Sequence, residues 1–366
     1  MWREIATNNS HCKYLKTSNV VFSNGQEPRM SDLDTPASYG SPKATAQAGQ
    51  LGYLPVALFG SVMGLAGLSS AWRLAHRMYG MPLWIAQLIG VLAVLAFLMI
   101  GFGYAVKWVT GSNAVKAEFN HPIAGNLFGT LFISLLLLPI PLADLSVPFA
   151  RAVWIVGAIG MIVFAWFVIM RWLSQRQHPS HATPAWIVPV VGLIDIPLAT
   201  PAIQITGVGG VLLLALAVGL FFAVPLFTLI FSRLMFEEPM ANNLQPTLLI
   251  LLAPFAVGFS AYVTVTGEVD RFADALYMLT LFLLTVLVGR LRYLAITCPF
   301  RLSWWAVSFP LAGSVSCAER YADHAPGPIT HGIAIFLLAT VTPLLLLLAA
   351  RTLWGVLRGE LEALAH

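Results

Sequence analysis

One carboxylate, Asp195, stands in an otherwise apolar stretch of the sequence, between Gly192 and Pro197. A charge in such a stretch is costly to bury and is generally retained for function, commonly in the path of an ion or a proton. Asp195 is therefore a candidate for coupling to protons. The plainer interpretation places it at the mouth of its apolar stretch, in contact with water, and the sequence leaves both interpretations open.

The other ionisable residues near apolar stretches offer less chemistry. Glu319 and Arg320 are adjacent at the end of one stretch, where we expect an interfacial pair, and His331 begins the next stretch. The sequence contains no HExxH motif, no paired aspartates within an apolar stretch, no Gly-Ser nucleophile elbow, no P-loop and no cysteine–histidine group with metal-ligand spacing. We therefore expect no enzymatic activity, no metal and no cofactor.

The composition indicates which elements must position these residues. Of the 366 residues, 58% are hydrophobic and 10% are charged, whereas a soluble domain has about 25% charged residues. A soluble fold has too many water-facing positions for this composition. Lipid is itself apolar, and roughly 20 apolar residues suffice for one membrane-spanning helix. The net charge of +4 gives no indication of nucleic-acid binding.

Apolar stretches separated by short polar breaks follow one another along most of the chain. They predict an all-α membrane protein with ten transmembrane helices, embedded in a lipid bilayer. The ten stretches lie near residues 52–72, 83–106, 122–140, 148–171, 184–200, 207–235, 246–266, 272–295, 302–320 and 329–355.

The two ends of the chain differ from this membrane domain, which we assign to residues 51–356. Residues 1–50 are rich in Ser, Asn, Thr, Gly and Pro, which predicts a disordered cytoplasmic tail. Met30 is an alternative start, in which case residues 1–29 precede the native chain. Residues 357–366 are expected to form a short cytoplasmic C-terminal tail.

Proline and glycine alternate between the stretches. The odd-numbered stretches contain Pro or Gly inside or at an entrance, whereas the even-numbered ones are longer and smoother. Proline kinks a helix, and broken helices are tolerated in a membrane where protein or a water-filled cavity surrounds them. The alternation predicts five helical hairpins, with an inner ring of five kinked pore helices and an outer ring of five. The competing explanation is that both residue types are simply frequent in membrane helices. The predicted kinks are at Pro55, Pro122, Pro189, Pro254 and Pro310.

Basic residues cluster in the breaks on the side of the N-terminus. Because basic loops remain cytoplasmic, we expect both termini to be cytoplasmic. Arg73 and Arg77, in the first break on the other side, argue weakly against this orientation. The cytoplasmic residues would be Lys107, Lys116, Arg171, Arg176, Arg290, Arg292 and Arg301.

The passage through such a bundle would be almost free of charge. Basic residues near its cytoplasmic mouth would raise the local concentration of anions. The sequence has neither a ring of acidic residues suited to cations nor a TVGYG-like carbonyl filter for potassium. Small inorganic or organic anions are therefore the expected substrates.

Five segments, in order and at similar spacing, resemble the TehA family of tellurite-resistance and C4-dicarboxylate transporters, which includes the plant slow-type anion channels. The resemblance covers about residues 50–355. The segments are Phe59–Leu68 with Trp72, His121-Pro122, Pro184–Gly192, Leu244–Thr247 with Ala253-Pro254, and Ser303–Pro310.

This resemblance implies ten helices in five hairpin repeats, an inner five-helix pore and a homotrimer with one pore per subunit. It also implies that a phenylalanine on the ninth helix plugs the pore, and the matching position here is Phe309. A kink before Pro310 could turn this ring toward the axis, although packing in the core is the alternative. Small residues on facing helices would give the ring room, namely Gly64, Gly129, Gly192 and Gly258.

The function expected from these observations is passage of small anions across the bacterial inner (plasma) membrane through a gated, largely apolar pore. Asp195 departs from the neutral pattern expected at its position, so the alternative is a proton-coupled transporter that exports sulfite, tellurite or C4-dicarboxylates. An intramembrane enzyme or lipid-handling protein would need converging polar residues deep in the stretches, and the sequence shows none.

Overall fold

The computed structural model describes residues 51–292 and 298–365, and every regular element within these ranges is helical. The predicted N-terminal tail, residues 1–50, lies outside them. The α-helices are α1 (Phe59–Tyr79), α2 (Leu83–Thr110), α3 (Ser112–Asn120), α4 (Gly129–Leu137), α5 (Pro139–Leu142), α6 (Val147–Ser174), α7 (Val188–Val191), α8 (Thr200–Ile203), α9 (Gly209–Phe236), α10 (Ala253–Thr266), α11 (Arg271–Leu291), α12 (Ser308–His324), α13 (Pro328–Leu357) and α14 (Leu361–Ala365).

Short 3-10 helices precede or interrupt several of these α-helices. A 3-10 helix is wound more tightly than an α-helix. Each of the five prolines at which a kink is predicted lies close to one of these 3-10 helices. The 3-10 helices cover Val56–Leu58, Ala124–Phe128, Pro179–His181, Pro184–Ile187, Gly192–Ala199, Asn242–Leu252 and Leu302–Val307.

Eight helical segments of the described chain are long and apolar enough to cross a membrane, as expected of a multi-pass membrane protein. Each coincides with one of the ten predicted stretches. They are Leu83–Thr110, Ala124–Leu142, Val147–Ser174, Pro184–Ile203, Gly209–Phe236, Asn242–Thr266, Arg271–Leu291 and Pro328–Leu357.

The two remaining predicted stretches correspond to α1 and α12. Helix α1 is less apolar because it continues to Tyr79, so that Arg73 and Arg77 lie in its last turns and not in a break. Helix α12 has 17 residues. Both helices are buried along most of their length, and a helix surrounded by protein needs no lipid-facing side chains.

The broken segments are buried and the smooth ones are exposed. In the most apolar 18-residue stretch of each interrupted segment, 67%, 78% and 83% of the residues are buried. The corresponding fraction in the five continuous helices is 22% to 39%. The helix surfaces exposed in this chain carry large apolar side chains such as Phe102, Phe221 and Leu347. The alternation of Pro- and Gly-containing stretches with smoother ones therefore corresponds to a difference in burial, because interrupted helices lie where protein surrounds them.

Contacts between helices link the buried segments in succession. Helix α1 packs against α4 and α12, α12 packs against α10, and both α10 and α4 pack against the 3-10 helix Gly192–Ala199. Helix α1 also packs against α2, and α12 against α13.

Polar contacts identify two ends of the bundle. We call the end that contains Leu54 and Glu118 the near face, and the end that contains Tyr79 and His331 the far face. At the near face, the Val56 N–H donates to Oε1 of Glu118 at 2.7 Å. At the far face, Tyr79 Oη lies 3.0 Å from Nδ1 of His331.

A buried ion pair holds the near face together. Lys107 Nζ lies 2.7 Å from Glu118 Oε2 and donates to the Leu54 carbonyl at 2.6 Å. Tyr104 Oη also donates to Glu118 Oε2, at 3.0 Å. Glu118 therefore ties the end of α3 to α2 and to the first turn before α1.

We expect Glu118→Ala to lower the free energy of unfolding by about 3 kcal/mol, because Lys107, whose side chain is 4% exposed, would remain buried without a partner. The double variant Lys107→Met/Glu118→Leu should recover part of this loss. Equilibrium unfolding in mixed detergent measures both. As a control, Asp144→Ala breaks the more exposed Arg73–Asp144 pair of the far face and should cost about 1 kcal/mol or less. Equal losses for the two single variants would contradict this account.

Candidate functional site

A cavity of about 130 Å³, which we call the central cavity, opens among the buried segments. Five of the predicted stretches contribute to its lining, all of them odd-numbered. Most of the lining side chains are aliphatic, with a few hydroxyls and one carboxylate. Representative lining residues are Ala57 and Met63, Leu127 and Thr130, Val191 and Asp195, Thr247 and Val257, and Trp305 and Phe309.

Hydroxyl side chains satisfy backbone carbonyls where the helices are interrupted. Thr130 Oγ1 donates to the Leu127 carbonyl at 2.6 Å and lies 3.2 Å from the Val56 carbonyl. Ser134 Oγ lies 3.1 Å from the carbonyl of Phe59. These contacts join α4 to the start of α1 and to the 3-10 helix before it, and they give these carbonyls a partner within the protein.

The predicted gate, Phe309, is the second residue of α12 and is 6% exposed. Its neighbour Ser308 fixes this end of the helix, since Ser308 Oγ lies 2.7 Å from the Trp305 carbonyl and 3.2 Å from the Gly60 carbonyl of α1. Pro310 stands in the first turn of α12, where a missing N–H removes no intrahelical hydrogen bond. The irregular backbone at this point therefore belongs to the preceding 3-10 helix, Leu302–Val307, and not to a bond lost inside α12.

The other prolines predicted as kinks also stand at the start of helical elements. Pro55 precedes the 3-10 helix Val56–Leu58, and Pro122 lies two residues before Ala124–Phe128. Pro189 and Pro254 lie in the first turns of α7 and α10.

The glycine that faces the Phe309 ring is Gly67. A Cβ at Gly67 would lie 3.4 Å from Cδ2 of Phe309 and 3.1 Å from Cβ of Ala312. Gly67 belongs to the first segment that carries the family resemblance, but the sequence does not indicate which glycine of that segment meets the ring.

The four glycines predicted to line the passage occupy different places. Gly192 lines the central cavity. Gly64 lies directly against the Ser308 side chain, Gly129 against Val188 and Gly258 against Leu220, so these three permit close approach of helices.

Two further cavities lie beyond Phe309. A narrow cavity of about 30 Å³ shares Phe309 and Val257 with the central cavity. The narrow cavity in turn shares Arg320 with a far-face vestibule of about 670 Å³. Phe309 therefore borders both the central and the narrow cavity, and Arg320 borders both the narrow cavity and the vestibule.

Asp195 lies within the protein and not at the mouth of its segment. It is 2% exposed, it lines the central cavity, and its Oδ1 has no hydrogen-bond partner among the described residues. The 3-10 helix that carries it is anchored by Trp154, whose Nε1 donates to the Ile196 carbonyl at 2.9 Å. An unpaired carboxylate in this position could accept a proton or meet a solute in the cavity.

The expected interfacial pair Glu319–Arg320 is not formed. Glu319 is fully buried, and neither of its carboxylate oxygens has a hydrogen-bond partner among the described residues. Arg320 lines the narrow cavity and the vestibule. Adjacent residues on a helix point in different directions, so this pair could not have been assigned to one place from the sequence.

Two titratable groups, one near each face, take part in the local structure. At the near face, burial lowers the pKa of His121, whose Nδ1 accepts from the Ala124 N–H at 3.1 Å. At the far face, a hydrogen bond from Tyr262 lowers the pKa of Asp270, which caps α11. Among the residues that the structure describes, no group of three His, Cys, Asp or Glu side chains is placed to hold a metal ion.

The chain is similar to several proteins named as anion channels, transporters or tellurite resistance proteins. The chain is 27% identical to the S-type anion channel SLAH3 of Arabidopsis thaliana over 82% of its own length and 48% of the plant protein. It is 25% identical to the tellurite resistance protein TehA homolog of Haemophilus influenzae over 84% of its length and 92% of that protein. An uncharacterized transporter of Methanocaldococcus jannaschii is 25% identical over 71% of this chain and 81% of its own length.

The chain spans about half the length of the first two plant channels that it matches. A family model described as the voltage-dependent anion channel, SLAC1, matches residues 53–353, which include every lining residue of the three cavities. The resemblance to TehA and the plant slow-type channels is thus confirmed, and this multi-pass membrane protein belongs to the voltage-dependent anion channel family.

Proposed function

We propose that this protein lets small anions cross the membrane through the three successive cavities, and that the Phe309 ring closes the passage. The observation that carries the proposal is that Phe309 lines both the central and the narrow cavity. An apolar ring that fills the space between a largely apolar cavity and a second, narrow one blocks ions by occlusion and by excluding water.

The proposed architecture has ten membrane-spanning helices. Five buried segments form an inner ring, and five smoother helices surround it, each pair making one helical hairpin. The succession of contacts from α1 through α4, Gly192–Ala199, α10 and α12 back to α1 supports the inner ring. The count of ten adds α1 and α12 to the eight segments that are long and apolar enough to span.

The charge at the near face favours anions over cations, because Lys116 and Arg176 would place positive charge there. The far-face vestibule contains both signs, with Arg77 and Arg320 beside Glu268 and Asp323. The basic near face indicates that both termini are cytoplasmic, in the inner membrane of a bacterium. Transport without chemical conversion, rather than an enzymatic reaction, is the activity that we propose.

A second candidate function is proton-coupled export of sulfite, tellurite or a C4-dicarboxylate. The observation that favours it is the buried carboxylate of Asp195 in the central cavity, whose Oδ1 has no hydrogen-bond partner among the residues that the structure describes. A group of this kind is a suitable carrier of a proton together with an anion.

Phe309→Ala should increase anion flux while the protein remains folded, because the ring leaves the boundary between the two cavities. Liposomes that contain the purified protein, supplied separately with chloride, nitrate, sulfite and malate, measure the flux and the preferred anion. Unfolding measured in parallel reports stability.

Phe259→Ala is the matched control. Phe259 is fully buried and packs against Tyr277 and Tyr321, and it lines none of the three cavities. Its truncation should lower stability by about 3–5 kcal/mol without raising flux. A folded Phe309→Ala protein with the same anion flux as the wild type would show that the Phe309 ring does not close the passage.

Asp195→Asn separates the two candidate functions. If protons are coupled, a pH gradient drives anion accumulation in wild-type liposomes, and this variant abolishes accumulation but keeps downhill flux. Asp144→Asn, at an exposed ion pair of the far face, should change neither the accumulation of anion nor its downhill flux. Wild-type flux that does not respond to the pH gradient would eliminate the coupled transporter.

We further propose a homotrimer with one passage per subunit, in which apolar outer helices pack against neighbouring subunits. Helix α9 presents Phe221 and Phe236, which are 70% and 79% exposed in the single chain; in a monomer these side chains would face lipid. Native mass spectrometry in mild detergent should show a predominant trimer, and a predominant monomer or dimer would count against it.

A further inference from the structure

The narrow cavity between Phe309 and the vestibule contains groups that the gate does not use. Arg320 of α12 and Ser260 of α10 both line it. Ser70 of α1 and Ser316 of α12 also line it. A positive guanidinium with hydroxyl donors around a small space has the chemistry of an anion site.

Two of these groups lack internal partners. Ser260 is 4% exposed, and its Oγ has no hydrogen-bond partner among the described residues. Arg320 Nε is likewise buried without a hydrogen-bond partner in this part of the chain. Leaving a buried donor unpaired costs free energy, so both are available to a bound solute.

The carboxylates near this region lie outside the narrow cavity. Glu268 and Asp323 line the wider vestibule together with Arg77 and His324, whereas Arg320 is the charged residue in the lining of the narrow cavity. The vestibule is thus of mixed charge, whereas the lining of the narrow cavity contains one charged side chain, that of Arg320. Glu319, the preceding residue of α12, is buried and lines none of the three cavities.

The size of the narrow cavity limits what can bind. A volume of about 30 Å³ accommodates one or two water-sized species. A monatomic anion such as chloride, or a compact planar one such as nitrate, is compatible with this space. A C4-dicarboxylate would have to remain in the vestibule unless the Phe309 ring moved.

We propose that Arg320 and Ser260 form a binding site for one small monovalent anion on the far side of the Phe309 ring. The site deepens the proposed function and rests on it for its role in transport, but its occupancy is measurable without transport. An anion bound there would lie next to the closed Phe309 ring, and this site would give the passage its preference for small monovalent anions.

The test is stabilisation of the detergent-solubilised full-length protein by chloride or nitrate, with gluconate as the replacement at constant ionic strength. A ligand that binds the folded state raises the unfolding temperature, and the stabilisation grows with the logarithm of one plus the ratio of the free ligand concentration to Kd. The wild type should be stabilised, and Arg320→Gln should require at least about tenfold more chloride for the same shift, because a hydrogen bond to a charged group contributes of that order. Arg320→Lys should restore much of the affinity.

Arg73→Gln is the matched control, since Arg73 lies on the same far-face turns of α1 as Arg77 but pairs with Asp144 at 2.6 Å and lines none of the three cavities. It should leave the chloride dependence unchanged. If Arg320→Gln fails to fold, Ser260→Ala provides the same test with a several-fold weaker response to chloride.

The outcomes separate the site from the proposed function. If chloride stabilises the protein through Arg320 but the protein conducts no anion, the result supports the binding site and contradicts the proposed function. Anion flux in a protein that chloride does not stabilise, or that Arg320→Gln leaves equally stabilised, overturns the site and leaves the proposed function standing.

Discussion

In the hydrocarbon core of a bilayer, each backbone N–H and C=O must find a partner within the protein, and this constraint separates the two kinds of helix in the chain. Continuous helices such as α2 and α9 satisfy their own backbone and can be exposed. The interrupted segments depend on neighbours, as when Thr130 and Ser134 reach carbonyls at the start of α1. Burial of broken backbone thus brings short helices, small residues and hydroxyls to the interior, where the cavities lie.

The same interior explains why one aromatic ring could control the passage. Ser308 holds the start of α12 against Gly60, and Gly67 leaves space beside Phe309. The ring is therefore positioned by backbone contacts on one side and is bordered by cavities on the others. Because its immediate surroundings are largely apolar, closure needs no ion pair to break, and truncation of the ring alone would connect the cavities.

The architecture was more predictable than the site. Apolar stretches predicted the helices to within a few residues, because length and hydropathy decide what crosses a membrane, although α1 runs past Arg73 and Arg77. The lining was less predictable, since it depends on helix rotation. Gly64 and Gly67 are three residues apart, yet one meets Ser308 and the other meets Phe309. Likewise the burial of Asp195 and the separate environments of Glu319 and Arg320 arise from tertiary packing that no local pattern encodes.

Cysteine accessibility would show whether the cavities form one route that Phe309 interrupts. In a protein whose native cysteines have been replaced, Thr247→Cys would report the central cavity and Ser260→Cys the narrow one. A thiol-reactive ion small enough for the narrow cavity, such as Ag⁺, should react with Thr247→Cys only from the near face and with Ser260→Cys only from the far face. Adding Phe309→Ala should make each position reactive from both sides. Reactivity that remains one-sided after the ring is removed would contradict the account.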